Sequence, residues 1–262
     1  MTAAVAGDML ARDDAEGGRP RSGLALAAIG VLALAAFASF VALGLWQIER
    51  RAWKLDLISR VETRLAAEPV AAPGPAAWPD VDAARYEYLR VTLSGVFDHS
   101  RETLVQAATG LGSGFWTLTP LKTAQGFEVL VNRGFVRPER RAPATRADGL
   151  PRGPVAVTGL LRLTEPDGAF LRANEPDRDL WRSRDVAAIA AARGLTEAAP
   201  YFVDADGRPN AGGWPVGGLT VVGFRNNHLV YALTWFGLAL MVAGGAGLLA
   251  RHELRLRGAP RG

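Results

Sequence analysis

The chain has 262 residues, 49% of them apolar, with 30 Lys or Arg against 26 Asp or Glu and a net charge of +4. It contains no cysteine, which excludes disulfides, thiolate metal sites, covalently attached c-type haem and cysteine nucleophiles. The small positive excess is spread along the chain without a basic stripe, so no nucleic acid is expected as a partner.

Residues 1–22 form a polar tail, and residues 23–48 then run without a charged side chain. A helix needs about 20 such residues to cross the hydrocarbon core of a bilayer, so 23–47 is expected to be a first transmembrane helix. A cleaved signal peptide has a shorter apolar region, of about 7–15 residues, behind a basic leader. Here Asp8, Asp13, Asp14 and Glu16 stand in that leader, which favours a retained anchor. The same acidic residues argue against a mitochondrial transit peptide and point to a bacterial protein.

A central domain is expected over 48–225. It opens on WQIERRAWKLDLISRVETRLA, where Trp46, Trp53, Leu57 and Val61 recur on one helical face. The apolar span should therefore continue as an amphipathic helix to Ala66, with Trp46 and Trp53 near the lipid headgroups. Residues 68–80, EPVAAPGPAAWPD, read as a linker. Strands are expected at 86–97, 102–109, 114–123, 127–136, 155–163, 199–207 and 219–224. Ala124, Gln125 and Gly126 read as a hairpin turn. One helix, RDVAAIAAAR over 184–193, should stop at Gly194. The fold class that follows is a membrane protein of α+β type, in which two transmembrane helices flank a mainly antiparallel, β-rich and barrel-like domain with one or two helices.

Residues 229–250 are again free of charge, giving a second transmembrane helix over 226–250 and a tail over 251–262. Arg12, Arg19 and Arg21 precede the first span, and Arg251, Arg255, Arg257 and Arg261 follow the second. Short basic flanks stay in the cytoplasm, whereas a long connecting domain crosses largely regardless of its charge. The expected arrangement is a multi-pass protein of the bacterial inner membrane, with both termini cytoplasmic and the domain periplasmic. Membrane lipids are then among its partners.

The chemistry-bearing stretch is RNNHLVYALTWFGLAL, at the entrance to the second span. An imidazole at His228 can simply meet water and headgroups, or it can act as a ligand, since ionisable groups at a membrane helix edge are costly. His252 lies about 36 Å further along a helix and His99 falls in a domain turn, so two facing imidazoles are not available. One exposed axial nitrogen suits a cofactor held and then released. Arg225, Arg50 and Arg51 fall at the same boundary; they can face headgroups or clamp carboxylates such as haem propionates. Asn226 and Asn227 read as helix caps. Tyr231 suits an aromatic belt, and Trp235 can pack on the first span or on a flat ring. Asp204 and Asp206 in VDADG read as a polar turn, and Asp185 in WRSRD as a helix cap. No nucleophile elbow, HExxH, phosphate loop or dinucleotide fingerprint is present, so the chain is not expected to be an enzyme.

The motifs LGLWQIERRAWKLDLI, TPLKTAQGFEVLVNRGFV and RNNHLVYALTWFGLAL, in that order and spacing, resemble the Surfeit locus protein 1 family over residues 43–240. The resemblance implies a cytochrome c oxidase assembly factor whose bacterial members are similar to haem a chaperones. It implies His228 as axial ligand to the haem iron, in a cofactor-binding set with Arg225, Arg50, Arg51, Trp235 and Tyr231. The partners implied are the haem-bearing subunit of the oxidase and the haem a synthesis machinery. Gly44 and Trp46 match family positions without an assigned chemistry, and Phe135 stands where the family usually carries tryptophan. The alternative is a cofactor-free membrane docking module that stabilises an oxidase assembly intermediate.

Overall fold

The computed structural model describes residues 21–166, 168, 172–220, 222, 223 and 226–258. The chain divides into two compact units, Met1–Asp56 with Phe224–Gly262, and Leu57–Gly223.

Helix α1 runs unbroken from Gly23 to Ala66. The Ser22 hydroxyl accepts the Ala25 backbone N–H at 3.2 Å and so begins it. Pro69 lies three residues past its end, where the chain can no longer continue as helix. Beyond the apolar run, Val61 is buried while Trp46 and Trp53 are each about half exposed. After the one-turn helix α2 (Ala83–Tyr86) and the helix α3 (Val186–Arg193) in the central domain, the last helix, α4 (His228–Gly258), carries the second apolar run. Both helices are long and apolar enough to cross a membrane.

Between them the described residues form a seven-stranded sheet: β1 (Val70–Ala71), β2 (Arg90–Phe97), β3 (Thr103–Thr109), β4 (Gly112–Thr123), β5 (Glu128–Val136), β6 (Pro154–Leu163) and β7 (Ala198–Ala205). The order β2-β6-β7-β5-β4 closes on itself through a β2–β4 pairing, which makes a five-stranded barrel. Strand β3 extends it from β4 and β1 from β2. All pairs are antiparallel except β5–β7 and β1–β2. A parallel pair needs a crossover connection, and the segment between β5 and β7 includes β6 and helix α3 (Val186–Arg193).

Alternation sorts the side chains into two cores. Val91, Leu93, Leu121, Val129, Val131, Val157, Leu161, Tyr201 and Val203, drawn from all five barrel strands, fill the interior. On the other face Leu118, Leu130 and Phe202 meet Trp181, Val186 and Ile189 from the α3 region. Strand β5 is therefore buried along its whole length. Asp185 caps α3 by accepting the Ala188 N–H at 3.1 Å, and Gly194 ends it in the left-handed conformation, both as expected.

Three expectations need correction. The 68–80 stretch does not dangle as a linker: β1 pairs with β2, and Trp78 packs edge-on against Phe127. Its apolar tryptophan has a barrel end to cover, and the Pro73 carbonyl accepts bonds from both Trp78 and Tyr201. Residues 219–224 do not supply a strand among their described positions. Strand β5 already has β4 and β7 on its two edges, so only Val216 finds a place, bridging Phe135 where β7 has ended. Gly134 makes that approach possible: its φ is +134°, and a β-carbon there would lie 2.2 Å from the Val216 carbonyl oxygen.

Asp204 is the third. It is no turn residue but lies within β7 at 2% exposure. Its carboxylate accepts from Asn132 at 2.7 Å, Arg184 at 3.0 Å, Arg162 at 3.1 Å and Thr220 at 2.9 Å. A buried charge is tolerated when it is paired and hydrogen-bonded in this way. The turn proper begins at Asp206, which accepts the Arg208 N–H.

Candidate functional site

The unit holding both apolar helices shows how they pair. On α1, Phe40, Gly44 and Gln47 fall on one face at spacings of four and three. On α4, His228, Ala232, Trp235, Phe236 and Ala239 do the same. The Phe40 and Trp235 rings stack with centroids 5.7 Å apart. A β-carbon at Gly44 would lie 2.5 Å from the Phe236 ring, so glycine lets that ring sit directly on α1, and any side chain there would force the ring to move. Ala232 and Ala239 are buried to 1% and 2% exposure. Small residues that permit close approach are how membrane helices gain contact.

Polar contacts close this interface at both ends. At one end Arg21 pairs with Glu253 at 2.8 Å, and Arg257 donates to the Arg21 carbonyl at 3.0 Å. Glu253 is only 3% exposed. At the other end His228 Nδ1 and Gln47 Oε1 are 2.7 Å apart. Between the two polar ends α4 rises about 37 Å, at 1.5 Å per residue, enough to contain a hydrocarbon core of about 30 Å.

His228 is the first residue of α4. Asn227 occupies the N-cap, its carbonyl accepting the Tyr231 N–H at 3.2 Å. Gln47 Oε1 can only accept, so a neutral ring makes this contact in the tautomer that carries its proton on Nδ1. Nε2 then carries a lone pair, and among the described residues it has no hydrogen-bond partner. This is the form of imidazole that binds a metal.

The model of the SURF1 family matches residues 34–240. The chain belongs to the SURF1 family. It is 38% identical over 214 residues to Surfeit locus protein 1 of Homo sapiens, covering 75% of this chain and 69% of the human one. The mouse protein of the same name is 39% identical over 75% of this chain and 67% of its own. A SURF1-like protein of Monosiga brevicollis is 37% identical over 75% and 78%.

In this SURF1-family chain the remaining candidate residues are dispersed. Trp235 is engaged by Phe40. Arg50 and Arg51 follow Gln47 by one helical turn, and the Arg50 guanidinium lies 4.0 Å from the Trp53 ring centre, a favourable cation–π distance. Tyr231 is about half exposed. No hydrogen bond or ion pair joins these described side chains to His228. Arg225 lies outside the described residues. In the turns of α1 before Gln47 and of α4 after His228, Leu43, Trp46, Leu229, Val230 and Leu233 expose much of their apolar surface.

Sequence reasoning missed Gln47, Phe40, Phe236 and Glu253. A signal for Gln47 existed: it is the only amide in the charge-free run of residues 23–48, on the same face as Gly44 and Phe40. Glu253 gave none, because an acidic residue in a basic tail looks like ordinary surface.

Proposed function

We propose that this protein is a non-catalytic assembly factor for cytochrome c oxidase. In this reading it holds haem a at the outer membrane boundary and passes it to the haem-bearing subunit. Family membership supports the assembly role. The observation that carries the cofactor reading is the imidazole of His228, locked through Nδ1 with Nε2 unbonded.

The residues fit the cargo. Haem iron takes a neutral imidazole nitrogen as axial ligand, and Nε2 offers one. The farnesyl-tailed macrocycle needs apolar cover, which the exposed flanks of α1 and α4 offer near Leu229 and Leu233. Its propionates need cations, for which Arg225, Arg50 and Arg51 are the candidates. Trp235 supports the site from behind by setting the helix pair. The reading places the protein in the bacterial inner membrane, with both termini cytoplasmic, the barrel periplasmic and the haem a synthesis machinery as a second partner.

The test is an optical spectrum of protein purified from cells that make haem a. A Soret band is expected in the wild type and a much weaker one in His228→Ala. An equal band in both would remove His228 as the ligand. Colourless wild-type protein that still copurifies with the haem-bearing subunit would favour the cofactor-free docking module.

A further inference from the structure

We propose that Gln47 is a positioning residue that sets the tautomer and donor strength of His228. The inference rests on the reading of His228 as an axial ligand, but the contact itself is a property of the helix pair.

Gln47 is 9% exposed at the end of an apolar run. A buried amide in such surroundings is costly unless bonded, and its bond is to His228 Nδ1 at 2.7 Å. Gly44, one turn earlier, favours that reach, because a larger residue there would have to displace the Phe236 ring packed on α1. Free neutral imidazole favours the proton on Nε2, the tautomer that leaves Nδ1 to coordinate. By accepting from Nδ1, Gln47 reverses that preference and turns the outward nitrogen into the donor.

The partner's charge matters as much as its position. A carboxylate at Nδ1 draws the ring toward imidazolate, raising its basicity and tightening its hold on a metal. A neutral amide orients the ring with less of that gain. Gln47 therefore makes His228 a well-aimed but modest ligand, the combination needed to hold a cargo and then release it.

The experiment has two arms on the full chain in lipid nanodiscs. In the first, the protein is made without haem and its histidine nitrogens are read by 15N NMR, with His228→Ala assigning the signal among the three rings. Wild type is expected to show the proton on Nδ1 of His228, and Gln47→Leu to move it largely to Nε2. Gln47→Glu should restore the Nδ1 proton, which a merely structural role would not do. In the second arm, protein loaded with haem a is examined. Gln47→Leu is expected to lose pigment about ten- to a hundredfold faster, the usual cost of removing such a partner. Gln47→Glu should release it more slowly than wild type and show a lower reduction potential.

An Nε2 proton in wild type, or a His228 tautomer indifferent to Gln47→Leu, overturns the inference. So does a Gln47→Glu variant with the release rate and potential of wild type. If the tautomer responds as expected but wild type never takes up pigment, the haem reading fails, while the control of the ring by Gln47 stands.

Discussion

At the scale of single residues, the second informative imidazole is His99, in the short turn between β2 and β3. Its Nε2 lies 3.0 Å from the Pro151 carbonyl oxygen, and its Nδ1 is buried without a partner. Burial holds its pKa below the ordinary value, and the Arg133 and Arg146 charges act in the same direction, against Glu102 and the Pro151 bond. The unfolded ring takes its proton near pH 6.5, while the folded ring takes it only at lower pH. In that window the unfolded state binds more protons, so stability falls as pH falls below about 6.5. His99→Gln, which can still donate to Pro151, is expected to flatten the loss of melting temperature between pH 7 and pH 5. Melts of the full chain at three pH values would show it. Arg133 illustrates the same environment: burial lowers its pKa to about 10, and its Nη1 has no partner. None of this is legible in VNRGFV, which reads as an ordinary strand.

At the scale of elements, the strands and helices were largely legible because their period or length is extreme. Strand β5 announces itself by the Gln125–Gly126 turn before it and by its β-branched and aromatic residues, and α3 carries both its cap and its glycine stop. What escaped was decided by partners distant in sequence. The 68–80 stretch is rich in Pro and Ala, yet it is held by Phe127, Tyr201 and β2. The 219–224 stretch has strand-like residues, but the edges of β5 were already occupied. Two predictions belong here. Ile189→Ala, deep between α3 and the barrel, should cost about 2–5 kcal/mol, read as a lowered denaturation midpoint of the purified chain. Gly44→Leu should separate α1 from α4. With no native cysteine to interfere, a short bifunctional thiol cross-linker should join Phe40→Cys to Trp235→Cys in membranes, and the product should be lost when Gly44→Leu is added.

At the scale of the whole molecule, two charge-free runs and the alternation between them made a β-rich domain flanked by apolar helices legible. Closure of the sheet through the β2–β4 pairing was not fixed by that pattern. The candidate site was only half legible: His228 stands out by its motif, whereas its partner comes from 181 residues away. The expected orientation is tested by the same absence of native thiols. Cysteines placed singly at Ser100 and at Gly258 should react differently with a membrane-impermeant maleimide on intact spheroplasts, the first labelled and the second protected. The reverse pattern would invert the topology and move His228 to the cytoplasmic face.

Asp204 holds guanidinium groups from β6 and from the segment leading into α3, with Asn132 of β5 and Thr220 beyond β7 also bound to it. Heredity should feel that arrangement. A lineage that neutralised Asp204 would leave Arg162 and Arg184 with only the more exposed carboxylates of Glu87 and Glu165, a costly intermediate for two largely buried guanidinium groups. We therefore expect these three positions to drift in concert among descendants of one ancestral gene. An aligned set of homologues in which Asp204 varies freely while both arginines persist would refute that.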